Sequence, residues 1–239
     1  GVSQELALHW RKHELSAVDR GRAIAERLKS FTDLFGSQIL DVGCGYGGLS
    51  VALSKSGASV VGVDYDSQRL LGASIRVEDD HPDSRVRLTQ AAAEATSFAN
   101  NSFDIVVCRD VLEHVSDQVN TLSEIARILK PEGWVYLSFP NRFSPANIRS
   151  DPHYGLFGVC LFPPQLGKWY VVSFLEKTMS YQVGVFPIAS RTISQLKRLG
   201  LEIIEWWPAP QRRIGILTGL LRFYRLNTQP VVSLICRRT

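Results

Sequence analysis

With 239 residues, 45% of them hydrophobic and 21% charged, the chain is long enough to bury one full α/β core and to carry an inserted cap. No apolar run approaches the ~18 residues that span a bilayer, and no secretory signal opens the chain. Cys44, Cys108, Cys160 and Cys236 are too scattered for metal-binding spacing and predict reduced thiols in a cytoplasmic protein. The net charge of +4 is uneven: residues 191–239 carry nine Lys and Arg against two Glu, which leaves the first 190 residues slightly acidic.

Residues 5 to 35 have helical periodicity, with Leu6, His9, Trp10 and His13 and then Ile24, Leu28 and Phe31 at steps of three and four. They predict an N-terminal helical cap over residues 1–35. Strand one is expected at Gln38 to Val42, followed by a helix that Gly57 stops, and strand two ends at Asp64. A helix from Ser67, with its hydroxyl as the expected N-cap, runs to about Asp80 before the loop at Pro82. His81 falls in that loop among acids and reads as solvated.

Val86 to Thr89 alternates as strand three, and Phe103 to Cys108 reads as a buried strand four. Val119, Leu122, Ile125 and Leu129 predict a helix that the turn Lys130-Pro131-Glu132-Gly133 closes. Strand five is Trp134 to Phe139, and a helix around Ile193 and Leu196 ends at Gly200. Leu201 to Trp207 and Val231 to Cys236 are strands six and seven. The alternation predicts a doubly wound, mainly parallel seven-stranded Rossmann-like sheet, with its cofactor-binding core over 36–140 and its completion over 190–239.

Residues 141–189 break the alternation. The stretch between Pro140 and Pro187 holds nine of the 23 aromatic residues and no clear βα unit. A featureless loop of that length is uncommon without a task. It predicts a substrate lid over the carboxyl ends of the strands, where open α/β sheets bind ligands.

The run Ile39-Leu40-Asp41-Val42-Gly43-Cys44-Gly45-Tyr46-Gly47-Gly48, with a second strand tipped by Asp64, makes a nucleotide-binding half-fold. Gly43, Gly45 and Gly48 fit the dinucleotide spelling and so admit an NAD-dependent oxidoreductase. Asp41 argues against a pyrophosphate, because it sets a carboxylate beside the anion that the helix N-terminus would hold. A carboxylate there suits the ammonium of S-adenosylmethionine. Asp64 serves a ribose diol in either case.

Those residues, with Gly62-Val63-Asp64, Ser102-Phe103-Asp104-Ile105-Val106, Val111-Leu112-Glu113-His114-Val115 and Leu129-Lys130-Pro131-Glu132-Gly133, resemble the motifs of class I S-adenosylmethionine-dependent methyltransferases over about residues 36–140. The Val111–Val115 segment looks most like the quinone-biosynthesis O-methyltransferases and their small-molecule relatives. The resemblance implies that Asp41, Gly43, Gly45 and Gly47 line the methionine end of the cofactor, that Asp64 binds ribose and that Tyr65 packs on adenine. It also places Arg109 near the methionyl group, and Ala92 and Ala93 at the adenine edge. Ala92 stands where relatives usually carry an acid, so backbone there or the Glu94 side chain would substitute. S-adenosylhomocysteine would be the product.

The implied reaction is methylation of a hydroxyl on a small molecule such as a natural product, quinone precursor or glycan, with C- or N-methylation as the alternative. A hydroxyl needs a base, and histidine is suited near neutral pH. His114, expected at a helix start after strand four, and His153, in the lid beside an orienting Asp151, are the candidates. Asn141, Arg142 and Tyr154 are candidate acceptor contacts. No carboxylate pair with Asn has the spacing of catechol-type enzymes, so no metal is expected, and the motif of amino-methylating DNA enzymes is absent after strand four, so nucleic acid is disfavoured. The basic, apolar segment 212–225 suits peripheral contact with an anionic membrane.

Overall fold

The computed structural model describes residues 16–80, 85–174, 184–207 and 229–239. Seven strands, β1 (Gln38–Val42), β2 (Ser59–Asp64), β3 (Val86–Gln90), β4 (Phe103–Arg109), β5 (Leu129–Pro140), β6 (Leu201–Trp207) and β7 (Val231–Arg238), form one sheet. Their order is β3-β2-β1-β4-β5-β7-β6. β1 to β5 are mutually parallel, while β7 runs antiparallel between β5 and β6. The expected doubly wound, mainly parallel sheet is therefore the one observed. Its winding reverses between β1 and β4, and a crevice at that point is where such sheets take ligands.

Each central strand is apolar on both faces because helices cover both. On β4, Ile105 and Val107 face a core shared with α1 (Ala17–Lys29) and α2 (Gly48–Ser54). Val106 and Cys108 face the opposite core, which α4 (Gln118–Ile128) and α7 (Ala189–Arg198) complete. The first two helices approach closely through Gly21, where a Cβ would stand 2.7 Å from the Ala52 methyl.

Two local expectations are corrected. Helix α3 (Ser67–Asp80) begins where predicted, but the cap is Asp66, whose carboxylate accepts the backbone N–H groups of Gln68 and Arg69. Lys130 to Gly133 do not form a separate turn. They lie inside β5 as an irregularity that shifts its register on β4 between Phe103 and Ile105, with Glu132 at φ 64°.

Between β5 and α7 the chain forms α5 (Pro145–Arg149), a single 3₁₀ turn at Val159–Leu161 and α6 (Pro164–Phe174). These enclose a small core of Tyr154, Val159, Cys160, Val171 and Phe186, so the predicted loop has a fold of its own. It docks on the rest through Gly184 N–H to the Glu113 carbonyl at 2.7 Å and through Gln118, which donates to the Leu112 and Val185 carbonyls.

Of the N-terminal helix predicted over 5–35, the part from Ala17 is seen. His9, Trp10 and His13, like His81, Pro82 and the basic segment 212–225, lie outside the described residues. All four cysteines are free and buried. No helix among the described residues is long and apolar enough to cross a membrane.

Candidate functional site

Parallel strands bring their carboxyl ends to one edge, so Asp41 with the glycine turn, Asp64, the Ala91–Ala93 segment, Arg109 and Asn141 arrive there from five strands. The glycine turn needs left-handed backbone: Gly43, Gly45 and Gly47 have φ of 67°, 53° and 77°. At Gly45 an added Cβ would meet nothing within 4 Å, whereas at Gly43 it would lie 2.3 Å from Val111 Cγ2. The turn is thus open on one side and closed by the β4 exit on the other.

Two carboxylates frame this turn. Asp64 accepts the N–H of Gly45 at 2.9 Å and that of Asp66 at 3.0 Å. Each oxygen keeps a lone pair, which suits it to a vicinal diol. Asp41 is buried and takes a 2.6 Å hydrogen bond from the Ser50 hydroxyl. Burial raises its pKa from 3.8 to about 6, against the pull of the Ser50 bond and the Arg109 charge, while Asp64 adds repulsion. A buried carboxylate gains from a cation beside it, so this environment suits an ammonium group better than a pyrophosphate.

Arg109 reaches toward Asp110, with Nε to Oδ2 at 3.5 Å. Tyr65 is 61% exposed beside Asp64, so its ring is not consumed by strand-end packing. Ala91 N–H binds the Asp64 carbonyl, which places Ala92 and Ala93 next to the β2 tip. Glu94 is not turned to that edge: its Oε1 accepts both the N–H and the hydroxyl of Ser116 at 2.8 Å. The proposed Glu94 substitute for the missing acid is therefore engaged in holding the next loop.

His114 does not start a helix. It sits in the turn after β4, its N–H bonded to the Val111 carbonyl, while α4 begins at Gln118 under an Asp117 cap. The inserted segment brings His153 to it, ring centroids 5.1 Å apart and nearly perpendicular. Asp151 fixes that approach through backbone, accepting the N–H of His153, Tyr154 and Leu156 at 2.9 to 3.0 Å. Its oxygen stays 3.8 Å from His153 Nδ1, so the expected hydrogen bond to the ring is not made. Burial, with the nearby His114, lowers the His153 pKa to about 3.

Sequence reasoning gave Glu113 no role. It is 1% exposed, its Oε1 lies 3.8 Å from Nε2 of both histidines, and its Oε2 has no hydrogen-bond partner. Burial, reinforced by Asp110, pushes its pKa well up. The signal was a carboxylate inside the apolar run Val111 to Val115. Asp110 was also missed; it holds φ 55° and accepts the Ser138 hydroxyl at 3.0 Å.

The acceptor candidates are occupied with structure. Asn141 is buried and donates to the Gln229 carbonyl, tying the end of β5 to the entry of β7. Arg142 donates to the Leu161 carbonyl, and Tyr154 belongs to the small core of the inserted segment.

Known proteins resemble this chain, which spans about half the length of several of the curated relatives it matches. A family profile described as "Methyltransferase domain" matches residues 40–137. A "Ubiquinone biosynthesis O-methyltransferase" of Bordetella avium is 33% identical over 182 residues, covering 74% of this chain and 69% of that protein. A protein of the same description from Nitrosospira multiformis is 32% identical over 174 residues, covering 72% of this chain and 65% of that protein. The magnesium protoporphyrin IX methyltransferase of Synechocystis PCC 6803, solved with bound SAH, superposes with a TM-score of 0.61 at 16% identity over 94% of this chain and 84% of that one. With the glycine turn, the two carboxylates and these relatives together, the chain belongs to the class I S-adenosylmethionine-dependent methyltransferases.

Proposed function

We propose that this methyltransferase acts on a hydroxyl group of a small molecule, such as a natural product, a quinone precursor or a glycan. The observation that carries the reading is the contact of Val111 with Gly43. Through it, the turn bearing Glu113 and His114 leans directly on the cofactor turn, and His153 joins from the inserted segment. That sets groups able to handle a proton beside the turn we assign to the methyl donor. The names of the relatives point the same way.

The bound cofactor supplies a methyl group already activated on its sulfonium. Asp41 holds the ammonium end and Asp64 the ribose, with Arg109, Ala92, Ala93 and the face of Tyr65 around them. The inserted segment 141–189 serves as a lid that excludes water and orients the acceptor. We assign removal of the hydroxyl proton to His114, whose side chain is 29% exposed against 12% for His153. Buried His153 orients the acceptor beside it.

The test is incubation with isotopically labelled S-adenosylmethionine and a panel comprising a phenol, a catechol, a hydroxyquinone and a methyl glycoside. Mass spectrometry is expected to find a methyl ether, and His114→Asn to lower its rate. A C-methyl or N-methyl product would overturn the hydroxyl assignment.

A further inference from the structure

Residues 111–118, between β4 and α4, meet the cofactor turn at one end and the adenine edge at the other. Val111 backs Gly43, where an added Cβ would stand 2.3 Å from its Cγ2. Further on, the Ser116 N–H and hydroxyl both donate to Glu94 Oε1 at 2.8 Å, which ties the turn to the segment beside Ala92 and Ala93. The same residues carry the inserted segment. Gly184 N–H donates to the Glu113 carbonyl at 2.7 Å. Gln118 Nε2 uses its two hydrogens on the Leu112 carbonyl at 3.0 Å and the Val185 carbonyl at 2.5 Å. One of those bonds stays within the turn, and the other crosses to the inserted segment.

The seam is close-fitting. A Cβ on Gly184 would lie 3.2 Å from the Val115 carbonyl oxygen and 3.3 Å from that of Glu113, so the two backbones meet with little room for a side chain between them. Phe186, two residues on, is buried in the small core of the inserted segment. The seam therefore grips that core, and His153 meets His114 from its other end.

We propose that Gln118 is a positioning residue that couples cofactor binding to the seating of the inserted segment on residues 111–118. The coupling rests on the reading of 141–189 as a lid and needs no hydroxyl acceptor. With the segment raised, the bonds from Gly184 and to Val185 go to water, and the turn behind Gly43 loses two restraints. A cofactor that needs Gly43 and the adenine edge in place must then also order the turn. The seated state binds cofactor more tightly, and by linkage bound cofactor favours seating by the same factor, about fivefold or more. The lid thus closes over a donor already in place, and closing brings His153 to His114.

Hydrogen exchange read by mass spectrometry, with S-adenosylhomocysteine as the probe, tests the coupling. In the parent, the ligand is expected to slow exchange at 43–48 and also, by about fivefold or more, at 184–188. Gln118→Met keeps the length of the side chain and removes both donors, while Gly184→Ala crowds the seam from the opposite side, so either variant alone carries the test. Each is expected to keep the slowing at 43–48, to lose it at 184–188, and to bind the ligand about fivefold or more weakly by calorimetry. A merely structural Gln118 would lower the melting temperature and leave the ligand's effect at 184–188 intact. Slowing confined to 43–48 in the parent, or a parental response at 184–188 in either variant, would overturn the coupling. Because no acceptor is present, the hydroxyl reading stands or falls separately on its methyl-ether product.

Discussion

The carboxylate of Asp64, at the tip of β2, accepts the backbone N–H of Gly45 at 2.9 Å. The residue assigned to the ribose therefore also holds the turn assigned to the methionine end. Asp64→Ala should lower S-adenosylhomocysteine affinity by more than one ribose contact is worth, at least about 100-fold, because an unanchored turn is disordered at further cost. Asp64→Asn keeps one acceptor oxygen and should recover part of the melting temperature but little of the affinity. Calorimetric titration and thermal melting on the same samples separate the two effects.

Asp41 should make stability and cofactor binding respond to pH in opposite directions. Its folded pKa of about 6 lies above the ordinary 3.8, so the native unliganded chain holds the proton more tightly than the unfolded one. Its contribution is most favourable below about pH 4 and is lost as pH rises through 6, by roughly 3 kcal/mol. An ammonium ligand needs the ionised form, so S-adenosylhomocysteine affinity should rise up to about tenfold per unit between pH 4 and 6. Asp41→Asn should flatten both profiles. A variant with the parental pH dependence of binding would remove Asp41 from the ammonium site.

Gly43 and Gly45 should fail differently. Both hold left-handed backbone, which costs a side chain about 1–2 kcal/mol. Only at Gly43 does the Cβ also strike Val111, at 2.3 Å. Gly43→Ala should unfold at clearly lower denaturant than Gly45→Ala, and Val111→Ala should rescue part of the difference. Gly45→Ala should fold well yet bind cofactor poorly, since its methyl projects into the open side of the turn. Denaturant midpoints and cofactor titrations report the two outcomes.

Asp110 carries strain at the exit of β4. Its φ of 55° is accessible to Asn but hard for a β-branched residue. Asp110→Asn, which keeps an oxygen for the Ser138 hydroxyl, should cost less than about 1 kcal/mol, and Asp110→Val about 2 kcal/mol or more. Comparable losses in the two, measured by chemical denaturation, would show that backbone strain is not the cause.

The glycine turn and its two carboxylates were legible from the chain alone because their information is local. An apolar run ending in Asp41, glycines where positive φ is needed and Asp64 at the next strand end are short-range patterns, and parallel strands must deliver their carboxyl ends to one edge. The misreadings were local too. Asp66, one residue earlier, outcompeted Ser67 as a cap, and Lys130 to Gly133 stay within β5 as the irregular stretch between the pairs Phe103–Leu129 and Ile105–Trp134.

What only the tertiary structure decided is the company each polar group keeps. Glu113 and His114 adjoin in sequence, but His153 arrives across 39 residues, on a segment whose small core has no periodic signature. No spacing rule links them, because the contact depends on how that segment packs against the β4 exit. Burial likewise has no local signal: the shifts at Asp41, Glu113 and His153 come first from water excluded by distant strands and helices. The sequence by itself determined the glycine turn and the two carboxylates beside it, and packing determined which polar groups gather at the β4 exit.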